Sequence, residues 1–204
     1  STYALIRDET AERKAAAFLL GDNLERTTQG GGIYTYTSQQ GAAAFRDTGS
    51  FDAAGSLSQE NAEAFCRDFC KAFSYDTPIF TLDETGSGTA TAVRLWNGTP
   101  VFNAAVTFTI DQGRVLSASG ALLPETGAET SSGQKPLSAF AALTAFQQMR
   151  HASSSVVSSI TEVSLCYELQ STTAAPMALV PSWRIVTDTA TFYVNCISGT
   201  VRRA

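Results

Sequence analysis

The chain has 204 residues, of which 44% are hydrophobic, 16% are charged and 46 are Ser or Thr. This length suits one domain or two small ones with a sizeable core. The net charge of −5 and the pI of about 4.9 exclude a strongly basic nucleic-acid binder and a polybasic membrane-surface protein. With only one histidine, a His-based metal site or catalytic triad is hard to build.

The first quarter of the chain predicts a helix followed by a hairpin. Asp8 is a suitable N-cap for a helix over residues 8–20, and a glycine follows at its end. Tyr and Thr alternate within residues 33–37, and an Ala-Ala-Phe-Arg run covers residues 43–46 beyond a short polar turn. We therefore expect a β-hairpin there. Residues 51–55 are interpreted as a link to the next element.

The strongest helix signal follows Ser58, a suitable N-cap, with Glu60 in the first turn where the helix dipole favours an acid. Pro78 prevents the helix from continuing further. Apolar residues recur at spacings of three and four, as on the buried face of a helix, at Ala62, Phe65, Cys66, Phe69, Cys70 and Phe73.

Three strands are predicted after this helix, over residues 90–95, 101–110 and 114–121. In the middle strand, apolar residues alternate with threonine, which is typical of an antiparallel sheet with one buried face. Residues 124–136 are rich in Thr, Ser, Gly and Glu, so we interpret them as an exposed linker.

The last third of the chain repeats this layout. Ser138 is the predicted N-cap of a third helix, and strands are expected over residues 160–169, 182–187 and 191–197. A Leu-Ser pair precedes the helix at residue 57 and again 80 residues later. A tripeptide that begins with proline opens a hairpin at residue 100 and again 81 residues later.

This repeat indicates duplication of a small module. We predict an α+β fold of tandem modules, with helices packed on one face of antiparallel sheets. The predicted units are a helix-hairpin unit over residues 1–55 and two helix-plus-three-strand units over residues 56–130 and 131–204.

The four cysteines allow more than one interpretation. Cys66 and Cys70 lie one turn apart on a predicted helix, a geometry that does not favour a disulfide. Cys166 and Cys196 lie in apolar, strand-like runs. The simplest interpretation is that all four are buried as small hydrophobic residues. A Cys166–Cys196 disulfide and a redox or nucleophilic role remain open alternatives.

Signals for catalysis are weak. The sequence has no Gly-x-Ser-x-Gly nucleophile elbow. The glycines at 30–32 lead into a strand, whereas a phosphate cradle requires a helix after the loop. His151 follows a predicted helix end, where a cation favours the dipole, and Asp83 and Glu84 fall in a predicted loop. We therefore predict no catalytic, metal or cofactor residues, and we expect a protein that is not an enzyme.

Three aromatic residues are candidates for binding a protein partner. Trp96 precedes a predicted turn, and Trp183 and Tyr193 lie on a predicted hairpin. Aromatic residues on strands usually belong to the core, but a groove lined by such rings is also a common protein-binding surface. We therefore take Trp183, Tyr193 and Trp96 as predicted partner-binding residues.

The C-terminal run Phe-Tyr-Val-Asn-Cys-Ile-Ser-Gly-Thr-Val, which begins at Phe192, carries a recognisable motif. It resembles the Tyr-x-Val-Asp-Ala-x-Thr-Gly-x-Val ending of PepSY-type modules. Asn195, Cys196 and Ser198 stand where Asp, Ala and Thr are usual. Independently of the resemblance, Ser198 and Gly199 predict a tight turn, which the side chain of Asn195 is suited to cap.

Taken whole, the chain resembles the extracytoplasmic part of YycH/YycI-type regulators. The resemblance rests on the Gly-Gly-Gly-Ile-Tyr-Thr-Tyr run at 30–36, the two helix-plus-three-strand units and the Trp…Tyr-x-Val ending. It implies a protein held at the membrane by a helix upstream of Ser1. It also implies modulation of the WalK sensor kinase, which controls cell-wall metabolism in Gram-positive bacteria.

Two functions follow as expectations. The first is a non-enzymatic, extracytoplasmic regulatory domain whose partner is the extracellular domain of a sensor kinase or a sister regulator. It binds through sheet faces or edges, without a cofactor and without nucleic acid. The alternative is a PepSY-like secreted protease inhibitor or propeptide-type chaperone, which would bind a protease.

Overall fold

The computed structural model describes residues 1–58, 61–130, 135–153, 156–171 and 175–204. Within these ranges the chain forms three α-helices and a sheet of fourteen strands that pair almost entirely antiparallel. The predicted α+β class is therefore confirmed. No helix in these ranges is long and apolar enough to cross a membrane.

The elements alternate short helices with groups of strands. The helices are α1 (Glu9–Leu20), α2 (Ala62–Ala72) and α3 (Ala139–Ser153). The strands are β1 (Thr2–Leu5), β2 (Glu25–Thr28), β3 (Tyr34–Ser38), β4 (Gly41–Phe45), β5 (Ser50–Gly55), β6 (Ile79–Leu82), β7 (Gly88–Trp96), β8 (Thr99–Asp111), β9 (Arg114–Ala121), β10 (Gly127–Thr130), β11 (Ile160–Gln170), β12 (Met177–Thr187), β13 (Thr191–Asn195) and β14 (Val201–Arg203).

The sheet has a main path and two branches. The path runs β10-β1-β12-β11-β8-β9-β5-β4-β3-β2, while β13 and β14 continue from β12, and β7 and β6 continue from β8. Only β8 and β11 pair parallel, at Val101 and Tyr167. Next to this pair, the side-chain amide of Asn103 donates to the Leu169 carbonyl at 2.8 Å and accepts from the Leu169 N–H at 2.9 Å. The Asn103 side chain thus substitutes for a peptide group where the two halves of the sheet meet.

The starts of α1 and α3 confirm two of the predicted caps. Asp8 Oδ1 accepts hydrogen bonds from the N–H groups of Thr10 and Ala11 at 2.9 and 3.0 Å. Ser138 Oγ accepts from the N–H of Ala141 at 3.2 Å. Each side chain satisfies N–H groups that a helix start otherwise leaves without partners.

The predicted N-cap of α2 is wrong. The helix begins at Ala62, four residues after Ser58, and Asn61 caps it by accepting from the N–H of Ala64 at 3.1 Å. Asn61 adopts a left-handed backbone conformation with φ of 46°, which asparagine tolerates better than most residues. The N–H groups of Leu57 and Ser58 instead donate to the Val115 carbonyl of β9. Glu60 lies outside the described residues.

Two segments interpreted as connections contain strands. Residues 51–55 form most of β5, which pairs with both β4 and β9 near the middle of the sheet. In the predicted linker over residues 124–136, Gly127–Thr130 forms β10, which pairs with β1. Residues 131–134 of that linker lie outside the described part of the chain. Both corrections have the same cause: tertiary pairing overrides the weak strand propensity of Asp, Gly and Glu.

The predicted turn near the C-terminus is confirmed. Asn195 Oδ1 accepts hydrogen bonds from the N–H groups of Ile197 and Ser198 at 2.8 and 3.0 Å. Gly199 has a φ of 73°, a conformation that glycine adopts without steric cost. This turn reverses the chain between β13 and β14.

Three clusters of buried side chains support the sheet. The first and largest packs α1 and α2 against the strands of the N-terminal half and centres on Phe69, whose ring lies 5.4 Å from Phe108 and 5.5 Å from Phe18. The second joins β1, β8 and β12. The third packs α3 on β12 and β13 through Phe146 and Phe192, whose rings are 4.9 Å apart.

The division into units over residues 1–55, 56–130 and 131–204 remains a prediction. The strand pairing crosses these boundaries, because β1 from the first unit lies between β10 and β12. Likewise, β5 from the first unit pairs with β9 from the second.

Candidate functional site

The sheet ends in four short edge strands within the described residues: β2, β6, β10 and β14. An edge presents unpaired backbone groups, and proteins commonly protect such edges with charged side chains. Three of the four follow this rule: β2 reads Glu-Arg-Thr-Thr, β10 reads Gly-Ala-Glu-Thr and β14 reads Val-Arg-Arg. The fourth, β6, reads Ile-Phe-Thr-Leu and contains no charged residue.

β6 exposes apolar side chains at this unprotected edge. It pairs only with β7, with Ile79 opposite Thr91 and Leu82 opposite Gly88. Ile79 is 75% exposed and Leu82 is 36% exposed. Phe80 is half-buried against the first core cluster, and the guanidinium of Arg67 lies 5.3 Å from its ring centre. An extended segment that paired with β6 would therefore cover apolar surface as well as satisfy backbone groups.

A cleft flanks the N-terminal end of β6. It has a volume of about 370 Å³ and lies between the last turns of α2 and the residues that lead into the strand. Arg67 and Lys71 on α2, together with Asp76, are the charged residues of its lining. The carboxylate of Asp76 accepts from the N–H of Thr77 at 2.7 Å. The cleft thus carries two cations and one anion.

The opposite end of β6 is acidic. Asp83 Oδ1 accepts from the hydroxyl of Thr85 at 2.7 Å and from the N–H groups of Thr85 and Ser87 at 2.8 and 3.0 Å. These hydrogen bonds, led by that of the Thr85 hydroxyl, hold the pKa of Asp83 below its usual range, so the side chain is ionised at neutral pH. Glu84 is exposed beside it. Asp111 accepts from the Ser87 hydroxyl at 3.0 Å.

The three aromatic residues predicted to bind a partner lie in three different environments. Trp96 is 3% exposed in the second core cluster, and its ring lies 4.4 Å from that of Tyr3. Trp183 is half-buried and donates from Nε1 to the Leu137 carbonyl at 2.9 Å. Tyr193 is 8% exposed, with the guanidinium of Arg202 4.8 Å from its ring centre. The structure does not bring them together, and their role in partner binding remains a prediction.

The remaining candidates for chemistry are dispersed or buried. His151 is exposed near the end of α3. Throughout the described ranges, no three His, Cys, Asp or Glu side chains are grouped so that they could hold a metal ion. All four cysteines are free thiols in the interior. Burial raises the pKa of Cys66, Cys70 and Cys166 to about 12 and that of Cys196 to about 11.

We expect these thiols to be unreactive in the folded protein. Because the thiolate is the nucleophile and burial disfavours it, a thiol reagent at pH 8 should modify no cysteine of the native chain within an hour and all four in denaturant. Because the folded pKa of each thiol exceeds its unfolded value, the folded state is stabilised by keeping the thiols protonated. This stabilisation is complete below pH 9 and declines as pH rises towards 12. Mass spectrometry counts the labels; rapid native labelling would contradict the prediction.

Sequence reasoning missed the β6 edge. The available signal was a run of four residues with high strand propensity between Pro78 and Asp83. Such a run predicts a strand at most. That it ends the sheet follows only from the order of the strands, which no local pattern contains.

Comparisons with known proteins return distant likenesses of fold. No family model matches the chain, and no curated protein matches its sequence. The C-terminal domain of Bacillus megaterium YpeB is 14% identical, with a TM-score of 0.44 over 98% of each chain. An uncharacterised protein from Eubacterium rectale is 13% identical, with a TM-score of 0.49 over all of this chain and 80% of that one. YycH from Bacillus subtilis is 12% identical, with a TM-score of 0.41 over all of this chain and 49% of YycH.

Proposed function

We propose that this chain is a non-catalytic interaction domain that binds other proteins by strand addition at β6. One observation carries the proposal: β6 is the one edge strand of the described sheet without a charged residue, and it exposes 75% of Ile79. Edge strands without protection associate with other strands. The charged residues near both ends of β6 would favour a partner with complementary charges.

We further propose that the domain acts outside the cytoplasm as a regulator, in the manner of YycI-type modulators of a sensor kinase. The partner would then be the extracellular domain of that kinase or a sister regulator, and a segment upstream of Ser1 would hold the domain at the membrane. The support for this role is the resemblance of the C-terminal run that begins at Trp183 and of the Gly-Gly-Gly-Ile-Tyr-Thr-Tyr run.

The test mixes the chain with the extracellular domain of the sensor kinase, and separately with the sister regulator, from the same organism. Size-exclusion chromatography with light scattering at tens of micromolar should give a complex whose mass is that of the two different chains. We expect Ile79→Lys to abolish the complex, because a charged side chain on the edge strand disfavours pairing with another strand. Phe140→Lys is the matched control, since Phe140 is 81% exposed on α3 and the substitution should leave binding unchanged.

Two results would reject the proposal. One is that neither partner forms a complex at 100 μM. The other is that a complex forms and Ile79→Lys leaves it intact. Circular dichroism of both variants checks that the fold is retained.

A further inference from the structure

We propose that a second copy of this chain fits the β6 edge, with the two β6 strands antiparallel about a two-fold axis at Thr81. The inference rests on the proposed role of β6 as an interaction edge, and it identifies the molecule that pairs with this edge as a second copy of the chain. Two copies related in this way would use the same surface reciprocally, as two-fold dimers do. Their sheets would continue across the interface, with the helices of both copies on the same side.

The first argument is the register. With Thr81 opposite Thr81 of the second copy, Phe80 faces Leu82, and this apolar contact occurs twice. Two neighbouring registers keep the same side chains on the same face. The one centred on Leu82 would place Phe80 opposite the charged Glu84, and the one centred on Phe80 would place Glu84 opposite Asp76. Like charges directly opposite each other on paired strands are destabilising. The Thr81 register is therefore favoured.

The second argument is charge complementarity. In this register the acidic turn that begins at Asp83 and Glu84 lies beside Pro78 of the second copy, at the mouth of its cleft. Among the described residues, the single ion pair of Arg67 is a 3.8 Å contact with Glu63 on the exposed face of α2, and Lys71 has none. Because the two copies are related by a two-fold axis, the acidic turn of each copy lies beside the basic cleft of the other.

The charges near both ends of β6 support the same conclusion. The acidic end has three carboxylates, on Asp83, Glu84 and Asp111. One nearby cation partly offsets their charge: Arg114, which pairs with Asp111 across β8 and β9. At the other end, two cations outnumber the single anion Asp76. A parallel arrangement of two copies would bring equal ends together and lose this complementarity, so the antiparallel arrangement is favoured.

The expected dimer is weak. Three residues of β6 per copy pair with the other β6, and these pairs with two charged contacts bury little surface compared with a stable interface. We therefore expect dissociation in the micromolar range, with affinity falling as salt screens the charged contacts.

The first test is sedimentation equilibrium of the full chain between 1 and 200 μM. A monomer–dimer equilibrium is expected. In the Thr81 register residue 79 lies opposite Asp83 of the second copy, so Ile79→Asp would place two carboxylates opposite each other and should raise the dissociation constant by about 100-fold. Phe140→Asp should leave it unchanged.

The second test reports the register. Residues directly opposite on antiparallel strands have Cα atoms about 4.5–5.5 Å apart, within the range of a disulfide. Thr81→Cys should therefore cross-link to itself under mild oxidation and give a covalent dimer. Thr27→Cys, on the exposed edge strand β2, is the matched control and should remain monomeric. The native cysteines are buried and do not compete.

The third test is a charge exchange. Lys71→Glu alone and Glu84→Lys alone should each raise the dissociation constant by about tenfold. Together they should restore it, because the acidic and basic ends are then exchanged. A structural effect of either substitution would not be rescued by the other.

A chain that is monomeric at 200 μM, or a Thr81→Cys variant that cross-links no better than Thr27→Cys, overturns the second copy as occupant. These outcomes are separate from those of the proposed function, which is judged by the mass of the mixed complex. Since one edge admits one strand, a kinase or regulator domain that binds β6 should also dissociate the dimer.

Discussion

Replacing Arg94 by leucine should lower the free energy of unfolding by about 3–5 kcal/mol. Arg94 has no exposed side-chain surface, although it lies on a strand. Its guanidinium donates to the carbonyls of Ser74, Leu95 and Leu123 at 2.7, 2.9 and 3.0 Å. Leucine would remove the side-chain donor from all three carbonyls. The Ser74 carbonyl keeps the N–H of Leu95 at 2.8 Å, whereas the Leu95 and Leu123 carbonyls lose the Arg94 donor, and a buried polar group without a partner carries its full desolvation cost.

Chemical denaturation measures this effect, and two controls isolate its cause. Glu125 also accepts from Arg94, at 2.9 Å, but its side chain is 67% exposed, so Glu125→Gln should cost less than about 1 kcal/mol. Arg46→Ala removes an exposed ion pair with Asp52 and should cost a similar small amount. If Arg94→Leu costs no more than Arg46→Ala, the carbonyl contacts do not stabilise the fold.

Replacing Arg202 by alanine should cost about 2–3 kcal/mol, because it leaves a buried carboxylate without its cation. Glu168 is 5% exposed and accepts from the Ser182 hydroxyl at 2.7 Å and from Arg202 Nε at 3.0 Å. Arg202 itself is half exposed, so water can partly replace it, and we expect the lower part of the range for a broken buried pair.

The neighbouring residue supplies the control. Arg203 is exposed on the same short strand, so Arg203→Ala should change the free energy of unfolding by less than about 0.5 kcal/mol. Thermal unfolding should separate the two variants by roughly 5–10 °C. Equal melting temperatures would show that the Glu168–Arg202 contact has no net effect.

Local rules predicted the elements that depend on local chemistry. The caps at Asp8 and Ser138 and the turn at Asn195 each use a side chain that bonds to the backbone within three residues of its own position, so the sequence contains the whole signal. Ser58 has the same capping chemistry, but β9 binds the backbone there. A contact 57 residues away in the chain decided the start of α2.

The inward position of Arg94 shows the limit of periodicity. The alternation of Ala90, Ala92, Arg94 and Trp96 places Arg94 on the buried face of β7. A charge at such a position is unfavourable unless the fold supplies hydrogen-bond partners. Apart from the adjacent Leu95, these partners come from two other segments of the chain, at Ser74 and at Leu123 and Glu125. No pattern within β7 identifies them.

The candidate site was hidden for the same reason. The strong aromatic signals at Trp96 and Tyr193 mark residues that the fold buries, whereas β6 is four residues long and ordinary in composition. Its significance comes from its position as the last strand of a branch.

The place of β1 in the sheet has a consequence for how the protein is made. Tyr3 pairs with Leu179, so β1 cannot pair with this neighbour until the ribosome has synthesised the chain as far as Leu179. At about 5–20 residues per second, β1 waits roughly 10–35 s. Closing so long a loop makes this pairing a slow, late step. The cluster that unites Leu5 with Met177 and Leu179 should therefore assemble later than the first cluster, and β1 should resist a protease during synthesis only after Leu179 has been made.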